Sequence, residues 1–160
     1  MAGNIILADA NATEARIKIS GRATFVFGQD LQEFFTRVMA AGVKQIVVDA
    51  SECASMDSTF MGVLAMAALD QTQAVSVVIA NPTKKVVDQL TGLGILRYFT
   101  LTERVLSADC LHPLGDLMRG LQKDEATLRD TMVRAHEALG TANPANIERF
   151  RQVVELLKKG

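Results

Sequence analysis

The chain has 160 residues, of which 49% are hydrophobic and 22% are charged, with 17 basic and 18 acidic side chains. This length allows one domain with a small appendage, and the hydrophobic fraction excludes a disordered chain. A formal net charge of -1 provides no overall attraction to nucleic acid or to an anionic membrane surface. We therefore predict no nucleic-acid partner and no membrane partner.

The cysteines and histidines do not form a recognisable site. Cys53 and Cys110 are not part of a C-x-x-C pair, and His112 and His136 stand alone in the sequence. We therefore predict no metal, no cofactor and a reducing, cytoplasmic location. We also expect neither export nor a membrane span, because the start lacks a basic signal segment and no apolar run reaches roughly 18–20 residues.

Strand and helix patterns alternate in the first part of the chain. Residues 5–8 and the alternating polar and apolar residues 14–20 predict two strands, the second with one solvated face. Apolar residues recur at helical spacing over 29–41, which predicts an amphipathic helix. The β-branched run 46–48 is typical of a strand buried on both faces, and we predict that this strand ends at Asp49.

The alternation continues to about residue 101. It predicts a helix over 55–69, a strand over 75–80, a helix over 83–92 and a strand over 98–101. The order β-β-α-β-α-β-α-β defines an α/β fold with a mixed sheet of four to five strands and helices packed on it. Crossover helices join the parallel strands, and the first pairing is antiparallel or at an edge.

Beyond about residue 110 only helical patterns remain. A short helix follows Pro113, a longer helix covers 122–139 and stops at Gly140, and a last helix begins after Asn143. The last two helices form a C-terminal hairpin. We predict a main domain of residues 1–121 and a hairpin extension of residues 122–160. The hairpin packs within the chain, on an edge or face of the sheet, or it forms a homodimer or partner surface.

A cluster of small polar residues marks the start of the second predicted helix. Asp57, Ser58 and Thr59 follow a buried strand and a polar loop. The free N–H groups and positive dipole end of a helix N-terminus favour an anion on the Ser58 hydroxyl. The simpler interpretation is that the cluster only caps the helix. The sequence offers no evident basic partner for Ser58 and no serine-nucleophile motif, so we predict that the protein is not an enzyme.

The chain resembles the STAS domain of bacterial anti-sigma factor antagonists over roughly residues 4–108. The resemblance rests on the order of elements, on the strand ending at Asp49, and on segments 56–64 (MDSTFMGVL) and 90–93 (LTGL). It implies that Ser58 is phosphorylated by a serine kinase that is also an anti-sigma factor. A serine phosphatase reverses the modification, and the dephosphorylated form binds the kinase and releases the sigma factor.

The resemblance also defines a candidate site and two departures from the family pattern. Ser58 is the phosphoacceptor, and the supporting or partner-binding residues are Asp57, Thr59, Phe60, Met61, Thr24 and Phe25. Phe60 replaces a usual glycine, and residues 21–24 (GRAT) replace a usual Gly-Glu-Leu-Asp. Either the partner has different complementary charges, or the phosphorylation switch is altered or lost.

A second interpretation therefore stays open. In it, the protein is a STAS scaffold or ligand-sensing interaction module, and Ser58 only caps its helix. The binding surface is then segment 25–27 (FVF) or the C-terminal helices. Segment 25–27 itself has two interpretations, as a plug beneath the first helix or as an exposed patch.

Overall fold

A mixed sheet of six strands forms the base of the fold, and its parallel part carries the crossover helices. The computed structural model describes residues 3–107 and 109–160. The strand order is β5-β4-β3-β2-β1-β6, with β1 antiparallel to β2 and β6 and the remaining pairs parallel. The strands are β1 Ile5–Ala10, β2 Glu14–Ala23, β3 Gln45–Met56, β4 Ser76–Ala80, β5 Thr100–Thr102 and β6 His112–Pro113.

Seven α-helices are described, three between strands and four after the last parallel strand. They are α1 Gly28–Ala40, α2 Ser58–Leu69, α3 Lys84–Gly92, α4 Leu114–Leu117, α5 Glu125–Ala142, α6 Ala145–Arg149 and α7 Arg151–Lys159. Single 3₁₀ turns lie at Phe25–Phe27 and Leu96–Tyr98. The predicted α/β order and mixed sheet are therefore confirmed. None of the helices in the described ranges is long and apolar enough to cross a membrane.

The sheet has six strands rather than the four to five predicted. The strand that was not predicted is β6, which is only two residues long. Its residues His112 and Pro113 pair antiparallel with Ala8 and Leu7 of β1. Two residues cannot display a period-2 pattern, so no strand was predicted beyond residue 110. The pairing covers the edge of β1 that would otherwise be open.

Strand β3 is longer than predicted, and its extension positions the candidate site. The strand continues past Asp49 to Met56, paired with a second half of β2 that runs through Gly21. The register shifts twice in this region, and Gly21 has a φ of +84°, which favours glycine. These irregularities hide the extension from periodicity arguments. Because Met56 pairs with Ala23, the residues that follow the two strands are neighbours in space.

The C-terminal helices pack within the chain. Helix α5 lies against α2 and α1, so it covers helices rather than the edge or face of the sheet. It also runs through Gly140, the predicted stop, to Ala142. A Cβ atom at Gly140 would lie 2.9 Å from Cγ1 of Ile147, so glycine at this position allows the returning chain to approach α5 closely. The buried side chain of Asn146 donates to the carbonyl oxygens of Leu93 and Leu139.

Candidate functional site

Asp57 joins the start of α2 to the 3₁₀ turn that follows β2. Its backbone N–H donates to the carbonyl oxygen of Ala23 at 2.9 Å. Its Oδ1 accepts from the backbone N–H of Phe60 at 2.8 Å, and its Oδ2 accepts from that of Phe25 at 2.7 Å. Asp57 is therefore the cap of α2 and at the same time fixes the neighbouring turn.

Ser58, the first residue of α2, is half-buried and forms a hydrogen bond with a histidine from the C-terminal helices. Its Oγ lies 2.9 Å from Nε2 of His136, a residue that is only 4% exposed. The Nδ1 atom of His136 lies 2.7 Å from the carbonyl oxygen of Met132. A carbonyl can only accept, so we assign the ring hydrogen to Nδ1. In this tautomer of the neutral imidazole Nε2 is an acceptor, and the Ser58 hydroxyl donates to it.

This contact corrects the expectation that Ser58 has no basic partner, and it places His136, which stands alone in the sequence, beside Ser58. The two residues are 78 positions apart, so no local motif could connect them. The sequence did contain one indication that another part of the chain covers α2. Residues 58–69 (STFMGVLAMAAL) contain no charged side chain, and a helix that is apolar all round is covered on all sides. Helix α5, helix α1 and strand β4 all pack against α2.

The contact between α2 and α5 is close enough to involve the backbone. A Cβ atom at Gly62 would lie 2.6 Å from the carbonyl carbon of Ala135 and 2.7 Å from its Cβ. Ala135 and Leu139 are fully buried. The ring of Phe150 packs edge-on against His136, with 4.9 Å between the ring centroids. The histidine is therefore held between Ser58 on one side and Phe150 on the other.

The other predicted site residues divide into a buried group and an exposed patch. Thr59, Phe60 and Met61 are buried, so they are not available to a partner on the surface. Thr24 accepts from the N–H of Val26 and caps the 3₁₀ turn. Phe25 is 43% exposed and Val26 is 68% exposed. We call these two residues the Phe25–Val26 patch.

Segment 25–27 therefore matches each of its two interpretations in part. Phe27 is partly buried and packs against the core, as a plug would. Phe25 and Val26 instead present apolar side chains to solvent beside Asp57. Exposed apolar residues next to one another are a common feature of interaction surfaces.

Cys53 lies near Ser58 in the sequence but is not available as a reactive thiol. The side chain is buried, and its Sγ donates weakly to the carbonyl oxygen of Ser55. Burial raises the pKa of the Cys53 thiol to about 11, so the reactive thiolate is scarce at neutral pH. In the described ranges, no three histidine, cysteine or carboxylate side chains are placed to hold a metal ion.

Comparison with known proteins identifies the family to which the chain belongs. A family model described as "Mlab, STAS domain" matches residues 6–102, so the chain belongs to the STAS domain family. Helices α4 to α7 lie outside the matched residues. No curated protein matches the chain.

Two solved structures have a similar fold. One is a Thermotoga maritima protein described as a candidate anti-sigma factor antagonist, with a TM-score of 0.54 and 13% identity over 61% of this chain and 86% of that one. The other is an anti-sigma factor antagonist from Mycobacterium paratuberculosis, with a TM-score of 0.51 and 18% identity over 64% of this chain and 88% of that one. At these identities the similarity concerns the fold.

Proposed function

We propose that the protein is a non-enzymatic signalling protein of the anti-sigma factor antagonist type. It binds a partner that is both an anti-sigma factor and a serine kinase, and phosphorylation of Ser58 switches this binding. A serine phosphatase restores the binding form. The observation that carries the proposal is the position of Ser58 at the N-terminus of α2, in a STAS domain, beside the exposed Phe25–Val26 patch.

The geometry around Asp57 supports a shared surface. Asp57 holds the backbone of Phe25 and the first turn of α2 with the two oxygens of one carboxylate. A partner that covers the Phe25–Val26 patch therefore comes close to Ser58. The apolar patch supplies contact area, and the polar start of α2 supplies a position that a phosphate can change.

Phosphorylation of Ser58 would alter this surface strongly. A phosphoserine carries about -1.5 to -2 charges at pH 7, compared with a formal net charge of -1 for the whole chain. The added charge sits next to the carboxylate of Asp57 and must lose water when a partner covers it. Repulsion and desolvation together oppose binding, without any need for the domain to unfold.

Mapping of the phosphate tests the assignment of Ser58. The protein is incubated with its cognate anti-sigma factor kinase, ATP and Mg²⁺, and the modified residue is located by mass spectrometry. We expect a single phosphate on Ser58 and none on the Ser58→Ala variant. Thr59 is the matched comparison, because it is the neighbouring hydroxyl but is buried. A phosphate on Thr59, or unchanged labelling of Ser58→Ala, contradicts the proposal.

One observation favours a second function. The hydroxyl of Ser58 already forms a hydrogen bond with His136, which is a sufficient structural role for it. The protein would then be an unphosphorylated STAS interaction module that binds through the Phe25–Val26 patch or the C-terminal helices. If this second function is the right one, incubation with the kinase and ATP leaves Ser58 unmodified.

A further inference from the structure

We propose that α5 is a displaceable cover over Ser58, so that docking of α5 and phosphorylation of Ser58 exclude each other. This inference rests on the proposed function, because it takes Ser58 as the phosphoacceptor. It assigns a regulatory role to the C-terminal helices, which lie outside the residues matched by the STAS family model.

The first argument is the polarity of the contact between Ser58 and His136. In the neutral imidazole with its hydrogen on Nδ1, Nε2 carries none and the Ser58 hydroxyl donates to it. Phosphorylation replaces that hydrogen with a phosphoryl group whose oxygens are acceptors. Nε2 would then face acceptor atoms, and the 2.9 Å between Oγ and Nε2 leaves no room for phosphorus and its oxygens.

The second argument is burial. His136 is 4% exposed and packs against Phe150, while Ser58 is half-buried, so a phosphate on the His136 side of Ser58 would lose part of its hydration while α5 is docked. Loss of hydration around an ionised group is costly. Outward movement of α5 lets water reach both the phosphate and the imidazole. The phosphorylated protein therefore favours the open arrangement.

The third argument is the way in which α5 is attached. Before it, Gly120 has a φ of +91° and residues 122–124 are exposed without regular structure. The first half of α5 is tied to α1 by two side-chain hydrogen bonds, from Gln29 to Thr127 and from Thr131 to Gln32. Just before α5, the ammonium group of Lys123 also forms an ion pair with the buried carboxylate of Asp30 at 2.9 Å. At the far end, the hydroxyl of Tyr98 and the side chain of Arg97 both donate to the carbonyl oxygen of Ala142. The segment that must move to uncover Ser58 includes His136, so it extends beyond the first half of α5 and has the contacts at Ala142 as its fixed end.

Displacement of α5 would change the surface that the protein offers to a partner. The face of α2 around Gly62 has no charged side chain and is covered by Ala135 and Leu139. Opening exposes this apolar face, while the sheet beneath stays intact. Linkage makes the effect reciprocal: a phosphate that disfavours α5 docking implies that docked α5 disfavours phosphorylation by the same factor.

Hydrogen exchange on the full chain tests the inference without a kinase. Phosphoserine is incorporated at position 58 during translation, and the amide exchange of residues 127–138 is compared with that of the unmodified protein. Phosphoserine at exposed Ser51 is the matched control, and Ser58→Ala measures the effect of losing only the hydroxyl. We expect exchange in α5 to become about tenfold faster or more with phosphoserine at 58, and to stay within a few-fold for both controls.

The central strand β3 reports whether the fold is intact. Unchanged protection over residues 46–50, together with faster exchange in α5, supports the inference. Equal or stronger protection of α5 overturns it, because His136 then accommodates or binds the phosphate. Loss of protection in both α5 and β3 also overturns it, because the phosphate then unfolds the domain. None of these results depends on whether a kinase modifies Ser58, so this inference can fail separately from the proposed function.

Discussion

Substitution of Gly62 with alanine is expected to lower the free energy of unfolding by about 2 kcal/mol. The added Cβ would lie 2.6 Å from the carbonyl carbon of Ala135, which is backbone and cannot rotate away. Overpacking of this kind costs about 1–3 kcal/mol, and the better helix propensity of alanine recovers up to about 1 kcal/mol. The strain falls on the contact between α2 and α5, so α5 should also become less protected.

Gly92→Ala provides the control for that experiment. Gly92 is also helical, and a Cβ atom there would meet nothing within 4 Å. We expect this variant to be neutral or slightly stabilised when the unfolding of both variants and of the parent chain is measured by urea titration. If Gly62→Ala is as stable as Gly92→Ala, then α5 does not pack on α2 as described, and the proposed cover over Ser58 has no physical basis.

Substitution of Val26 with aspartate is expected to weaken binding of the kinase partner about 30-fold or more. Val26 is 68% exposed, so the change leaves the core untouched and the stability of the domain nearly constant. In a complex it would place an unpaired charge at the centre of an apolar contact, where losses of about 2 kcal/mol or more are common. Titration calorimetry with the purified kinase measures the effect.

Val105→Asp is the matched control for Val26→Asp. Val105 is also an exposed valine, at 93%, but it follows β5, which is separated by β4 and β3 from the strand β2 that precedes the Phe25–Val26 patch. The same added charge there should leave the affinity unchanged. A loss of affinity for Val105→Asp, with normal binding of Val26→Asp, would move the partner surface to the β5 edge.

The sequence predicted the elements whose patterns are long and regular. The helical spacing over 29–41 corresponds to α1, and the β-branched run 46–48 lies in the central strand β3. These patterns are regular because each element buries one face, or both faces, in a single core. The second half of β3 and the two-residue β6 were missed, because bulges and short length remove the period-2 pattern.

The candidate site was predictable only in part. Asp57 and Ser58 could be placed at a helix start, since capping is a local property of the chain. The contact between Ser58 and His136 depends on tertiary packing across 78 positions, which no local pattern encodes. The apolar circumference of α2 did indicate that a second element must cover it. The apolar surface of α2 does not, however, indicate that the residue placed over Ser58 is His136.

The affinity of the proposed kinase partner for the 160-residue chain with and without phosphoserine at position 58 is the most direct test of a phosphorylation switch. We expect the unmodified protein and Ser58→Ala to bind equally, because neither carries a charge at this position. We expect phosphoserine at 58 to reduce the affinity at least about 100-fold, while phosphoserine at the exposed Ser51 leaves it unchanged. Equal affinities for the unmodified and Ser58-phosphorylated proteins would contradict the switch.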